Sequence, residues 1–276
     1  MIKKLSVFFL LNLGLVFLLI PVPKKNKNFS LEAVSAKLPF QLAWEGREQN
    51  EKEKKETETA LSQSYRFLGG GGQCFSFISQ DGKYVIKFFK QKAFPPRHWL
   101  SLNFEKTDAK RDRVFSAFRL SFDRLSEETG MLYIHLNPTQ HLHKTVLFSD
   151  ISGKEHLLNL DELQFVVQKK ADLANGYIDT LLARNDVDGA KDAINQLLSL
   201  SMRLHEKGVR NRDPNFRSNY GFVDGRPIVV DVGRMASRKK SAQKDLRRFK
   251  EKFRIYLAKE HPELLEYFDL VCKKNI

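Results

Sequence analysis

The stretch from Tyr65 to Phe89 constrains this chain more than any other, because it combines two turn signals with three short apolar runs. Tyr65-Arg66-Phe67-Leu68 leads into Gly69-Gly70-Gly71-Gly72. Cys74-Phe75-Ser76-Phe77-Ile78 follows, then Asp81-Gly82, then Tyr84-Val85-Ile86-Lys87-Phe88-Phe89. Asp-Gly between aromatic and β-branched runs is a strong hairpin signal, so three antiparallel strands are expected. Lys87 is flanked by apolar residues on its strand. A lysine there either faces water on an edge strand or points into a cleft toward an anion.

The rest of the chain alternates helical and extended patterns. Phe115, Phe118, Phe122 and Leu125 recur at helical spacing, with Thr107 as a candidate N-cap and Gly130 as the stop. Strand-like runs resume at Met131 to Leu136, Val146 to Ser149, His156 to Leu160 and Phe165 to Gln168. Ala190, Ile194, Leu197, Ser201 and Leu204 share a helical face that ends at Gly208. A loop from Arg210 to Ser218 precedes a second Asp-Gly hairpin, Tyr220 to Val223 and Pro227 to Val232. Two helical patterns close the chain, one carrying Leu246, Phe249, Phe253 and Leu257, the other running from Leu264 to Val271.

Ahead of this region, Lys3 and Lys4 precede an apolar run from Leu5 to Val22, eighteen residues long. A secretory core is usually about 7–15 residues and a spanning helix about 20. The run therefore reads as a signal-anchor, with a cleaved signal peptide as the alternative. Between Glu45 and Glu58 nearly every residue is polar or charged, which predicts a linker, disordered or a solvated helix. The expected division is 1–23 anchor or signal, 24–64 linker, and two lobes at 65–170 and 171–276.

Charge and cysteine usage narrow the partners. The net charge is +14, and from Arg234 to Ile276 thirteen Lys/Arg stand against six Asp/Glu, so this tail holds half the excess. That predicts an acidic partner or a membrane surface, or merely a solvated helix face. Nucleic acid is disfavoured, since no groove-reading motif and no interleaved aromatics accompany the charge. Cys74 and Cys272 lie far apart, which excludes a disulfide framework and a cysteine metal site.

Arg212-Asp213, then Asn219, then the hairpin and Asp231-Val232-Gly233 complete the pattern begun by the glycines and Val85-Ile86-Lys87. In this order the motifs resemble the protein-kinase-like superfamily, over about 170 residues. The resemblance implies an α+β, two-lobed protein-kinase-like fold: an N-terminal antiparallel β lobe with one helix and a mostly helical C-terminal lobe, behind the N-terminal hydrophobic helix. It implies ATP and Mg²⁺ between the lobes, with Gly69, Gly70, Gly71, Gly72 and Lys87 on the phosphates and Asn219 and Asp231 on the metal. Asp213 would be the base toward a hydroxyl. The adenine would lie against the connector that starts at Gln168 and includes Lys170.

The pattern also departs from its template. Five residues separate Asp213 from Asn219 where kinases have four. Val232 replaces Phe in D-F-G, and no A-P-E element follows Gly233. The helix carboxylate that would pair with Lys87 has only poor candidates: Glu105, Asp112 and Asp123. These features point to a compact small-molecule, lipid or saccharide kinase with an unknown hydroxyl-bearing or anionic acceptor. A catalytically inactive, pseudokinase-type binding module that docks an acidic partner or a membrane surface is the alternative. An ATP-using domain should face the cytoplasm from its membrane anchor, and a cleaved signal would instead mean secretion.

Overall fold

The computed structural model describes residues 29–35, 38–94, 104–237 and 239–274. The apolar run from Leu5 to Val22 lies outside them. Among the described residues no helix is long and apolar enough to cross a membrane.

Two short N-terminal pieces lead in: a helical turn, α1 (Leu31–Val34), and the longer α2 (Glu51–Leu61). The stretch expected as a charged linker is thus helical over much of its length. Its start is fixed by a capping box, in which the Asn50 side chain accepts from the Glu53 amide and the Glu53 carboxylate accepts from the Asn50 amide. Charge alone hid two anchors. Gln49 donates to the Leu132 carbonyl at 2.8 Å, and Ala60 and Leu61 are buried against the sheet.

A seven-stranded sheet follows. Its strands are β1 (Tyr65–Gly70), β2 (Cys74–Ser79), β3 (Tyr84–Phe89), β4 (Met131–His135), β5 (Thr145–Ser149), β6 (Glu155–Asn159) and β7 (Phe165–Lys169). The spatial order is β4-β7-β3-β2-β1-β5-β6. Neighbours are antiparallel except β1 and β5, which pair in parallel at Tyr65–Phe148 and Arg66–Ser149. Gly82, at φ +74°, closes the β2–β3 hairpin. β3 is buried at every residue except Lys87, and it runs through the middle of the sheet, which rules out a water-facing edge lysine.

Between β3 and β4 runs α3 (Phe104–Arg124), then α4 (Ser126–Thr129), stopped by Gly130 in the left-handed region at φ +62°. Phe115, Phe118 and Phe122 face the core as their spacing predicts. Helices then dominate: α5 (Ala174–Ala183), α6 (Val187–Glu206), α7 (Phe216–Asn219), α8 (Lys239–Glu260) and α9 (Leu265–Lys274). Two small sheets interrupt them. β8 (Asp172–Leu173) joins the hairpin β10 (Tyr220–Val223) and β11 (Arg226–Val229), while β9 (Val209–Asn211) pairs with β12 (Met235–Ser237).

The core has two parts. Phe75, Phe77, Phe88, Phe148 and Phe165 pack with α2 on one face of the large sheet. On its other face Phe89, Phe115 and Phe118 continue through Met235 and Phe249 into the helical part. That second cluster ties α3 to the helices and fixes where the cleft below can form.

Candidate functional site

A cleft of about 1170 Å³ opens between the large sheet and the β8–α5 and β9–β12 segments. Its ceiling is the β1–β2 turn, with Gly71, Gly72, Gln73 and Cys74. Its back wall carries Lys87 and Gln168, and its floor carries Asp213, Ser218, Asp231 and Arg234. Residues far apart in sequence therefore meet in one place.

Lys87 is held firmly. Its ammonium donates to the Gln168 side-chain oxygen at 2.6 Å and to the Val230 carbonyl at 2.8 Å. Burial pushes its pKa below the ordinary lysine value, opposed by the charge of Asp231. Two of the three candidate helix carboxylates are engaged elsewhere. Asp112 accepts from the Trp44 indole at 3.1 Å, and Asp123 accepts from the Arg47 amide and from Arg119. The side chain of Glu105 lies outside the described residues. Among its described side chains, α3 turns Phe118 to the cleft. Among the described residues Gln168 is the side chain bonded to Lys87, and its amide nitrogen donates to the Thr129 and Val229 carbonyls at 2.5 and 3.2 Å.

Asp231 lies two residues beyond β11 and is itself exposed between half-buried Val230 and buried Val232, and among the described residues its carboxylate accepts from the Gly233 amide at 3.1 Å. Asp213 starts the turn after β9 and faces the Arg234 guanidinium at 3.5 Å. Arg234 is 63% exposed and Asp213 33%, so this pair contributes about 0–1 kcal/mol and yields readily to a ligand.

Asn219 goes elsewhere. It is buried, and its amide donates to the Asp213 carbonyl at 2.8 Å while its oxygen accepts from Ser218 at 2.7 Å. Its role in this geometry is to pin the loop. Ser218 lines the cleft instead, and Ser218 is the residue that four intervening positions after Asp213 would select. α7 accounts for the exchange, since consecutive helical residues point about 100° apart.

The glycines divide similarly. Gly69 and Gly70 end β1, while Gly71 and Gly72 line the cleft. A methyl added at Gly71 or Gly72 meets nothing within 4 Å, so the fold does not require glycine there and the space above the cleft stays open to a ligand. Lys90 braces this turn, donating to the Gly71 carbonyl at 2.6 Å and covering the Phe75 ring. Lys170 lines the cleft and pairs with Asp172.

Mg²⁺ wants hard oxygen donors, one or two carboxylates plus phosphate oxygens and water. Asp231, Asp213 and the Ser218 hydroxyl fit that description. Among the described residues no group of three or more His, Cys, Asp or Glu could hold a metal by itself.

No family model matches the chain, and no curated protein does. Solved structures offer faint likenesses. The ROP18 kinase domain in complex with AMP-PNP and sucrose is 14% identical at a TM-score of 0.36, over 62% of this chain and 51% of that one. Monomeric WbdD is 15% identical at 0.32, over 71% of this chain and 44% of that one. The bifunctional kinase-methyltransferase WbdD is 13% identical at 0.32, over 73% and 43%. The chain thus spans about half or less of each, and a likeness of this degree carries no residue's role across.

Proposed function

We propose that the cleft binds ATP with Mg²⁺ and that the protein is a divergent kinase-like phosphotransferase with two lobes around that cleft. The observation that carries this reading is the convergence of Lys87, Asp213 and Asp231, from three separate segments, beneath the turn at Gly71 and Gly72. Lys87 would hold the nucleotide phosphates. Asp231, with Ser218 beside it, would hold Mg²⁺, which supplies charge neutralisation on the phosphates. The adenine would lie near Lys170 and Ala171, after β7.

Asp213 would take the proton of the attacking hydroxyl as the new oxygen–phosphorus bond forms and the bond to the ADP leaving group breaks. Arg234 must first release it. The open phosphate end of the cleft suits a small hydroxyl-bearing acceptor. Tethering through residues 5–22, with the domain on the ATP-containing side of the membrane, belongs to the same proposal.

A second reading is a nucleotide-binding but inactive module. The neutral Gln168, the side chain that meets Lys87 among the described residues, favours it, because protein kinases rely on a lysine–glutamate pair at this place.

Calorimetry with Mg²⁺-ATP on the full chain, beside Lys87→Ala and Asp231→Ala, tests the shared part. Binding lost in both variants is expected, and no heat in the wild type refutes the cleft as a nucleotide site. Turnover of γ-labelled ATP that Asp213→Asn abolishes would select the phosphotransferase. ATP binding without turnover would select the inactive module.

A further inference from the structure

A second concavity, of about 960 Å³, lies away from the cleft between the C-terminal end of α6 and helices α8 and α9. Its floor is apolar and half-buried, formed by Met202, Leu246 and Cys272. Its rim is basic. Lys244, Arg247, Lys250 and Arg254 recur every three or four residues along one face of α8, and Lys273 stands opposite on α9. Arg254 is occupied by Asp269 at 2.9 Å. The other four cations form no ion pair among the described residues.

We propose that this groove docks an acidic amphipathic helix of a partner protein. From Lys244 to Arg254 the rim runs about 15 Å at 1.5 Å per residue, the length of about three helical turns. An occupant of that length, with apolar residues at helical spacing and acidic residues on both flanks, would cover the floor and meet the four cations in the helix-in-groove manner. The basic charge noted in the sequence is thereby concentrated on a concave surface.

The shape argues against the other acidic partners. A helix lying on a bilayer inserts protruding apolar side chains about 5–10 Å below the headgroups, whereas here the apolar residues are recessed beneath the lysine and arginine tips. A single-stranded nucleic acid needs aromatic stacking platforms, and among the described residues no Phe, Tyr or Trp lines the groove.

The test uses the full chain in neutral detergent and a labelled synthetic peptide of about fourteen residues, with leucines on one face and glutamates on its flanks, read by fluorescence anisotropy. Saturable binding is expected, weakened about tenfold or more by Arg247→Glu with Lys250→Glu, and similarly by Leu246→Asp. Unchanged Mg²⁺-ATP heats and thermal midpoint would show the variants folded. If the Lys250 change disturbs folding, Lys244→Glu with Lys273→Glu, both at exposed positions, replaces it. Peptide affinity within about twofold of wild type in the reversal variants overturns the proposal. So does loss on charge reversal with none on Leu246→Asp, which would mean attraction by charge alone. Stronger capture by phosphatidylserine vesicles than by the peptide, sensitive to the same cations, would assign the surface to a membrane instead.

Discussion

Replacing Gln168 by Leu isolates the contact that joins the large sheet to the segments below the cleft. Gln168 is 1% exposed. Its side chain spends both polar ends on three elements: Lys87 on β3, the Thr129 carbonyl at the end of α4, and the Val229 carbonyl at the end of β11. Leucine fills a similar volume and makes none of these bonds. Lys87 keeps the Val230 carbonyl, while two buried carbonyls lose a donor. Each buried group left short of a partner costs about 1–3 kcal/mol. Because the three bonds share one side chain they do not add fully, and the total comes to about 3–6 kcal/mol. For a domain of this size about 2–4 °C accompanies each kcal/mol, so the midpoint should fall by about 6–24 °C. Differential scanning fluorimetry of the full chain in neutral detergent reads this directly. Gln63→Leu, which removes surface bonds to Thr59 and Asp81, serves as control and should cost less than about 1 kcal/mol. A Gln168→Leu midpoint within about 2 °C of wild type would refute the reasoning, since it would mean that water replaces the glutamine at no cost.

Two further outcomes follow from the geometry. Burial lowers the folded pKa of Lys87 beneath its ordinary 10.5, so the unfolded chain binds more protons between the two values and stability rises with pH across that window. Lys87→Met should remove the rise. The buried Cys74 thiol, pushed up to about 12 and coupled to Lys87 by charge, acts with the opposite sign, so the wild-type-minus-variant difference in unfolding free energy from pH 8 to 10.5 is taken in a Cys74→Ser background. A flat or falling difference would contradict the assignment. Gly71→Ala should leave the thermal midpoint unchanged within about 1 °C, while Gly221→Ala should cost about 1–3 kcal/mol by overpacking. A methyl at Gly221 would lie 2.6 Å from the Asp172 carbonyl oxygen, and one at Gly71 meets nothing within 4 Å. Equal denaturation curves for the two variants would reject that contrast.

Much of the fold was legible because local signals and tertiary needs agreed. The runs around Asp81-Gly82 became β2 and β3, and Asp224-Gly225, both at positive φ, joined β10 to β11. Gly130 and Gly208 ended helical segments in the left-handed region. β8, β9 and β12 were not legible, being two or three residues long and existing only through pairing with distant segments. α5 was missed as well, its first turn interrupted by Gly176. At the site, Lys87, Asp213 and Asp231 could be named from motif order alone. Ser218 could not, since its place depends on which way a four-residue helix rotates. Gln168 was named for the adenine connector, but its bond to Lys87 was not legible, because a partner for the lysine was sought on another element.

The parallel pairing of β1 with β5 has a mechanical consequence. It stops at Arg66, and a register shift between Phe67 and Gly69 loosens the strand just beyond. β1 is therefore clamped on both sides at its root and on one side only toward its tip, like a diving board bolted at one end. Tyr65 is stacked on Phe148 at that root, whereas the glycine turn is held by β2 and by Lys90, whose ammonium meets the Gly71 carbonyl and whose amide meets the Gln73 carbonyl. The inserted hairpin β5–β6 thus sets how much of the roof hangs on Lys90, and lengthening the β1–β5 ladder by one more pair would shorten that overhang without touching anything that lines the cleft.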